Sequence, residues 1–270
     1  MVQELENVIL EQNLVLHNYV DFAAFDKIDE GSVGIVYKSM WKNKLMVALK
    51  CLKINIKPEE KEFQQFVREL QILPKVSQHR NIVKLYGVTK DPSEEYYKII
   101  LQFAEDGNLR DYLTKQLSNL KWTDKYRIAK EIALGLEFLH YNNIAHRDLI
   151  NDATLNSNSA IFGTPAYIEP QCLKDSGYVR NKKSDIFSLG FVLWEISSCR
   201  KPFQSFKSAC EIQMLIFEGK RETPVNGTPQ RYVELYTLCW DDSPEKRPDI
   251  KKVLEILNKP FVNDSRYLLP

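Results

Sequence analysis

The sequence has few cysteines, and none of them forms a recognisable motif. Its 270 residues include five cysteines, scattered along the chain, and no two are spaced as Cys-x-x-Cys. This pattern argues against a disulfide framework and against a zinc site. It favours a reducing compartment, so the expected location is cytoplasmic.

Long apolar runs and an excess of one charge are also missing. No run approaches the roughly 18–20 apolar residues that a membrane helix needs, and the N-terminus lacks the basic and apolar regions of a secretory signal. Lys and Arg total 37 against 36 Asp and Glu, a net charge of +1. A dedicated nucleic-acid binder usually carries a basic excess. We therefore expect neither a membrane nor a nucleic-acid partner.

The residues that are present suit a folded domain. Hydrophobic residues make up 44% of the chain and charged residues 27%, which is ordinary for a soluble globular protein. A chain of this length should bury about 70–75% of the surface that it exposes when unfolded. One large domain or two modest ones can therefore form without disulfide or metal staples.

The pattern along the chain predicts an α+β domain with two unequal lobes. Short β-like runs dominate from 19 to 53 and recur at 82–88 and 96–103, whereas helical periodicity prevails from Leu109 onward. One helix interrupts the β-rich part, with an apolar face at Phe63, Phe66, Val67, Leu70 and Leu73. Residues 1–20 predict a short amphipathic helix through Leu5, Val8, Ile9 and Leu16.

Three short motifs could have a catalytic or binding role, and each also has a plain structural explanation. Gly31 and Gly34 lie between β-like runs, where glycine lets a backbone approach a phosphate, although in isolation a β-hairpin with flexible turns is the better explanation. Lys50 lies in an apolar strand and needs an anionic partner unless it faces water. Glu69, beside the apolar face of the helix, is either that partner or a solvated charge. Asp148, in His-Arg-Asp-Leu, could accept a proton from a hydroxyl, or belong to a surface turn.

Taken in order, these motifs resemble a protein kinase catalytic domain. The resemblance extends through Gly163-Thr-Pro-Ala-Tyr, a helix with Asp185 that would hold the catalytic loop, and Pro244-Glu-Lys-Arg-Pro248. It is closest to the serine/threonine-type, tyrosine-kinase-like group. It implies the two-lobed kinase fold, with a small β-rich N-lobe containing one helix and a larger helical C-lobe. The implied boundaries are an extension at 1–18, a kinase-like domain at 19–260 (N-lobe 19–104, C-lobe 105–260) and a tail at 261–270.

The resemblance also implies a set of site residues. Asp148, Lys50 and Glu69 take the catalytic positions. The implied partners are ATP, with Mg²⁺ expected for the family, and a protein substrate or signalling partner. The nucleotide-binding positions are Ile28, Gly31, Gly34, Val36, Ala48, Lys50, Leu101, Gln102, Phe103 and Ala104.

Two departures from the family pattern are modest. Asp29 replaces the first glycine of the glycine-rich loop, which places a carboxylate near the nucleotide phosphates. Gln171 replaces the glutamate of Ala-Pro-Glu, so a neutral amide is the expected partner of Arg247.

Two other departures concern the metal. Ala153 occupies the position of the catalytic-loop asparagine that binds Mg²⁺, and no Asp-Phe-Gly triplet occurs anywhere in the sequence. Only 23 positions separate Asp148 from Gln171, where the family needs roughly forty. We therefore assign no metal ligand and expect phosphotransfer to be severely impaired. The alternatives are an inactive pseudokinase that binds a nucleotide or a partner, and a spliced or wrongly predicted form of an active kinase.

Overall fold

The computed structural model describes residues 2–30, 34–52, 60–93, 97–117, 119–147, 149, 165–175, 177–206 and 208–259. The chain divides into two units, 1–105 and 106–270. Gly31, Asp148, Ala153 and the tail at 261–270 lie outside the described residues. In the part that is described, no helix combines the length and the apolar content that a bilayer crossing requires.

The described residues of the first unit form a six-stranded sheet with two helices. The sheet order is β1-β5-β6-β4-β3-β2, antiparallel except where β1 runs parallel to β5. The helices are α1 (Val2–Glu11) and α2 (Glu60–Val76). The strands are β1 (Leu16–His17), β2 (Phe22–Glu30), β3 (Gly34–Trp41), β4 (Leu45–Leu52), β5 (Leu85–Lys90) and β6 (Tyr97–Gln102).

The two faces of this sheet pack differently, as alternation along a strand requires. Val47 and Leu49 of β4 join Ile100 of β6 and Phe22 in one buried cluster. Ile99, the neighbour of Ile100, belongs to a second cluster that includes residues of α1 and α2. Helix α2 therefore covers the face of the sheet that holds Ile99 and its cross-strand partner Lys50.

The second unit is helical in its described part. The core helix α6 is buried almost throughout its length, in keeping with its nearly continuous apolar sequence. Side chains cap four of the helices: Asn108, Asn181, Ser208 and Asp249 accept hydrogen bonds from backbone N–H groups in the first turn. The helices are α3 (Leu109–Lys115), α4 (Trp122–Tyr141), α5 (Gln171–Lys174), α6 (Lys182–Ser198), α7 (Ala209–Phe217), α8 (Gln230–Cys239) and α9 (Ile250–Asn258).

The N-terminal helix is shorter than the periodicity predicts. Leu5, Val8 and Ile9 are buried, but α1 ends at Glu11 and Leu16 lies in β1 with 58% of its surface exposed. The placement of Leu16 in the helix is therefore wrong. The physical cause is a left-handed residue, Asn13 (φ 50°), which ends the helix with paired N–H bonds back to the last turn.

Candidate functional site

Lys50 and Glu69 meet in the first unit as an ion pair. Lys50 Nζ lies 2.6 Å from Glu69 Oε2, and the two side chains are 24% and 26% exposed. Lys50 comes from β4 and Glu69 from α2, so the pair links the sheet to the helix that covers it. Among the described residues Glu69 is the single hydrogen-bond acceptor of Lys50. Since an ammonium has three protons, this lysine keeps donors for a further anion.

Small and aliphatic side chains surround Lys50 on the same face of the sheet. Val36 lies opposite Lys50 in the β3–β4 pair, and Ala48 lies opposite Leu101 in the β4–β6 pair. Directly opposed residues project from the same side of an antiparallel sheet. Ala48 is buried, and Val36 and Leu101 are half-buried. The structure thus brings four of the expected nucleotide-binding residues onto one surface.

The segment after β6 offers backbone groups at the edge of that surface. The N–H of Gln102 is already committed, because it donates to the carbonyl of Lys84 at 2.9 Å. Among the turn and loop hydrogen bonds of the described residues, none uses the backbone of Ala104. The Phe103 ring lies under Lys38 Nζ, 5.2 Å from the ring centroid. The Ala104 backbone therefore remains available to a ligand.

The two ends of the expected glycine-rich segment are also visible. Ile28 lies in β2 beside a register shift and is 47% exposed, and Gly34 begins β3 as a buried residue opposite Leu52. Gly31 lies outside the described residues, so the turn between these strands has no structural description.

In the second unit, Asp185 fixes the turn that precedes Asp148. Its carboxylate accepts the backbone N–H of His146 (2.9 Å) and of Arg147 (2.7 Å), and it contacts His140 Nε2 at 2.8 Å. Asp185 is 1% exposed. The predicted role of Asp185 in holding this loop is confirmed. Asp148 itself lies outside the described residues.

Backbone strain at Arg147 shows why this turn needs an anchor. Arg147 has a φ of 71°, a left-handed conformation that costs a residue with a side chain about 1–2 kcal/mol. The Asp185 carboxylate holds the Arg147 N–H, and Arg180 Nη1 donates to the Arg147 carbonyl at 2.9 Å. Nothing in the sequence pattern pointed to Arg180, because its partner is a backbone atom.

The predicted partner of Arg247 is wrong. A carboxylate, not an amide, faces the guanidinium: Arg247 Nη1 lies 2.5 Å from Glu169 Oε2, and both side chains are fully buried. Gln171 donates instead to the Asp242 carbonyl at 3.2 Å, which also accepts Arg247 Nη2 at 3.2 Å. Glu169 stands two residues before the family position, and its side chain is long enough to supply the missing charge from there. The sequence signal that could have identified this partner is the glutamate at 169, directly before Pro170.

The described residues do not offer a metal site. No group of three or more His, Cys, Asp or Glu side chains converges among them. In the sequence, residue 153 is alanine and no Asp-Phe-Gly triplet occurs, and residues 150–164 lie outside the described part of the chain. The described residues therefore include the surface around Lys50 but not the segment where the family holds magnesium.

Comparisons with known proteins identify the family. A family model described as protein tyrosine and serine/threonine kinase matches residues 22–161 and 151–257. The chain is 30% identical over 270 residues to mitogen-activated protein kinase kinase kinase 7 of Drosophila melanogaster, covering 89% of this chain and 38% of that protein. It is 30% identical over 260 residues to serine/threonine/tyrosine-protein kinase HT1 of Arabidopsis thaliana, covering 87% of this chain and 65% of that protein. Both curated relatives are therefore longer than the matched region.

The fold and the sequence agree with these matches. A β-rich first unit, whose sheet carries α2, and a helical second unit match the architecture that the resemblance implied, and the N-terminal helix α1 is an addition to it. The chain therefore belongs to the protein tyrosine and serine/threonine kinase family, as a kinase-like domain of the serine/threonine type.

Proposed function

We propose that this chain binds ATP on the α2-covered face of its first unit and that its phosphotransfer activity is severely impaired. The observation that carries the proposal is the Lys50–Glu69 ion pair at 2.6 Å, set beside Ala48 and Leu101. In protein kinases this pair must be formed for the lysine to meet the nucleotide phosphates.

The ion pair prepares Lys50 for an anion. Both side chains are about three-quarters buried, so Glu69 holds the ammonium in a position where it is only partly hydrated. A hydrogen bond between charged groups is stronger than one between neutral groups. A phosphate that replaces the remaining water around Lys50 gains that interaction, and Lys50 needs no reorganisation to make it.

The neighbouring residues suit a flat heteroaromatic ring. Ala48 carries only a methyl group, so the surface between Val36 and Leu101 leaves room for a flat ring such as adenine, with Lys38 opposite Ala48 at its edge. The Ala104 backbone supplies polar groups at its edge. Leu101 takes the gatekeeper position, where its size limits access to the interior beside Ile99.

Impairment follows from the charge that phosphotransfer must stabilise. Asp148 can still orient a serine or threonine hydroxyl of a protein substrate, as its position in His-Arg-Asp-Leu suggests. Magnesium supplies most of the charge neutralisation on the phosphates when it is bound. Since metal ions contribute several kcal/mol, losing both family ligands costs on the order of a thousandfold in rate.

A thermal-shift titration tests the binding half of the proposal. ATP should raise the melting temperature of the unsubstituted chain with and without magnesium. Lys50→Met should abolish the shift, whereas Lys44→Met, an exposed lysine of the same unit, should leave it intact. An unchanged shift in Lys50→Met contradicts this site, and no shift in any variant favours a domain that binds only protein partners.

A radiolabelled ATP assay with magnesium tests the other half. We expect phosphate transfer to a serine- and threonine-containing substrate protein to be about a thousandfold below that of an active kinase. Robust transfer that disappears in Asp148→Asn would show that the chain is an active enzyme.

A further inference from the structure

The N-terminal helix α1 packs directly on the helix that supplies Glu69. Leu5, Val8 and Ile9 are 5%, 5% and 8% exposed. They share one hydrophobic cluster with α2 side chains, namely Phe63, Phe66, Val67 and Leu70. Phe66 and Leu70 stand three residues before and one after Glu69. The apolar contact with α1 is therefore made by the turns of α2 that present Glu69 to Lys50.

Polar contacts attach the other side of α1 to the sheet. The Glu6 carboxylate accepts hydrogen bonds from the Tyr97 hydroxyl (3.2 Å) and from Lys90 Nζ (3.3 Å). Gln64 of α2 donates to Glu4 at 3.3 Å. Helix α1 thus bridges α2 and the β5–β6 pair, so α2 cannot shift relative to the sheet without disturbing α1.

The segment that follows α1 is fixed just as firmly. The Val15 carbonyl accepts the N–H of Val88 at 2.9 Å, and the Thr89 hydroxyl donates to the His17 carbonyl at 2.9 Å. Gly87 has a φ of +140°, and a Cβ there would lie 2.3 Å from the Val15 carbonyl oxygen. Gly87 therefore lets the segment after α1 lie close against β5, and any larger residue at 87 would displace that segment.

We propose that residues 2–17 are a built-in positioning element for the Lys50–Glu69 pair. While α1 is docked, α2 holds Glu69 at Lys50; when α1 leaves, α2 loses one apolar face of its support and the pair opens. The consequence for nucleotide affinity rests on the proposed function, whereas the coupling of α1 to the ion pair does not. In this proposal the α1 residues act through α2 and the β1 residues through β5, not through contact with a nucleotide.

Two substitutions on opposite faces of α1 give a matched test. Val8→Asp places a carboxylate in the buried cluster, and Leu10→Asp places one on the exposed side of the same helix, where Leu10 is 73% exposed. Val8→Ile keeps the apolar contact and serves as the conservative variant. Val8→Ala, a milder truncation, replaces Val8→Asp if the latter does not fold.

The first readout is the reactivity of Lys50 itself, measured by mass spectrometry after brief acetylation, together with amide hydrogen exchange across α2. Val8→Asp, or Val8→Ala in its place, should raise both the Lys50 modification rate and α2 exchange several-fold relative to α6. Leu10→Asp and Val8→Ile should match the unsubstituted chain. Unchanged Lys50 reactivity in the buried-position variant overturns the proposal, and so does an equal effect of Leu10→Asp.

The second readout is the dissociation constant of a fluorescent ATP analogue. We expect it to rise at least tenfold in the buried-position variant and to stay within twofold in Leu10→Asp. If the unsubstituted chain binds no nucleotide, the proposed function fails, and Lys50 reactivity alone then decides the coupling. If nucleotide binds equally to all variants, the ion pair does not depend on α1, and the positioning role is refuted.

Discussion

Replacing Glu169 by alanine leaves Arg247 in the core of the second unit without its carboxylate. Both side chains are fully buried. Removing one member of a buried pair costs about 3–5 kcal/mol because the other charge stays unpaired. The carbonyls of Lys183, Asp241 and Asp242 still accept from the guanidinium. We therefore expect a cost near the lower limit, about 3 kcal/mol in the free energy of unfolding.

The loss is measurable by urea denaturation and by thermal melting. A cost of about 3 kcal/mol corresponds to a fall of roughly 6–12 °C in melting temperature for a unit of this size. Glu245→Ala is the matched control, because Glu245 is exposed two residues before Arg247. Its effect should stay within about 0.5 kcal/mol. A cost below about 1 kcal/mol for Glu169→Ala would refute the reasoning, since an exposed pair is worth no more.

A second substitution tests whether the carboxylate has been relocated. Gln171 and Arg247 donate to the same Asp242 carbonyl, so a carboxylate at 171 comes close to the guanidinium. Gln171→Glu added to Glu169→Ala should therefore restore at least about 1 kcal/mol, the coupling expected of residues in contact. Gln171→Glu alone should not stabilise, because Glu169 already pairs with Arg247 and like charges would then lie side by side.

Three further outcomes are expected. Asp185→Ala should expose the turn at 145–147 to proteolysis and fast amide exchange, because two backbone N–H groups lose their acceptor. Gly87→Ala should destabilise the first unit by about 2 kcal/mol or more in urea unfolding, through strain and the clash with Val15. Burial would raise the pKa of Asp91, but hydrogen bonds from Lys98, Tyr19 and Ser93 hold it well below its ordinary value of 3.8. The stabilisation that ionised Asp91 provides is thus present above pH 3.8 and is lost as the pH falls below that value. Between pH 7 and pH 3, the free energy of unfolding measured in urea should therefore fall more for the unsubstituted chain than for Asp91→Asn.

Local pattern was sufficient for much of the fold and for the Lys50–Glu69 pair. Helical spacing at Phe63, Phe66 and Leu70 predicts the buried face of α2, and the structure buries all three. The apolar context of Lys50 predicts a need for an anion, which Glu69 meets. These features depend on periodicity and on the cost of burying a charge, and both can be read within a short window.

Other features depend on contacts that no short window contains. The parallel pairing of β1 with β5 joins residues 72 positions apart, Leu16 with Val88. The role of Glu169 was not predicted, because the family motif assigns the partner of Arg247 by its position in the sequence. The ion pair depends only on which carboxylate lies close to the guanidinium in the folded chain. The end of α1 at Glu11 was not predicted for a third reason. Asn13 ends the helix through its left-handed backbone conformation, which the spacing of hydrophobic residues does not encode.

The departures from the family pattern leave the structural ion pairs of the described residues intact. The groups that hold the fold remain paired: Asp185 with the 146–147 backbone, Arg247 with Glu169, and Lys50 with Glu69. Two of the four departures in the sequence, Ala153 and the missing Asp-Phe-Gly triplet, fall where the family carries its magnesium ligands, whereas Asp29 and Gln171 do not. Because losing a structural pair costs stability and losing a metal ligand costs only rate, such a chain should fold fully and bind ATP without depending on metal. Calorimetric titration should then give dissociation constants within about threefold in magnesium and in EDTA. A tenfold tightening by magnesium, about 1.4 kcal/mol, would contradict this.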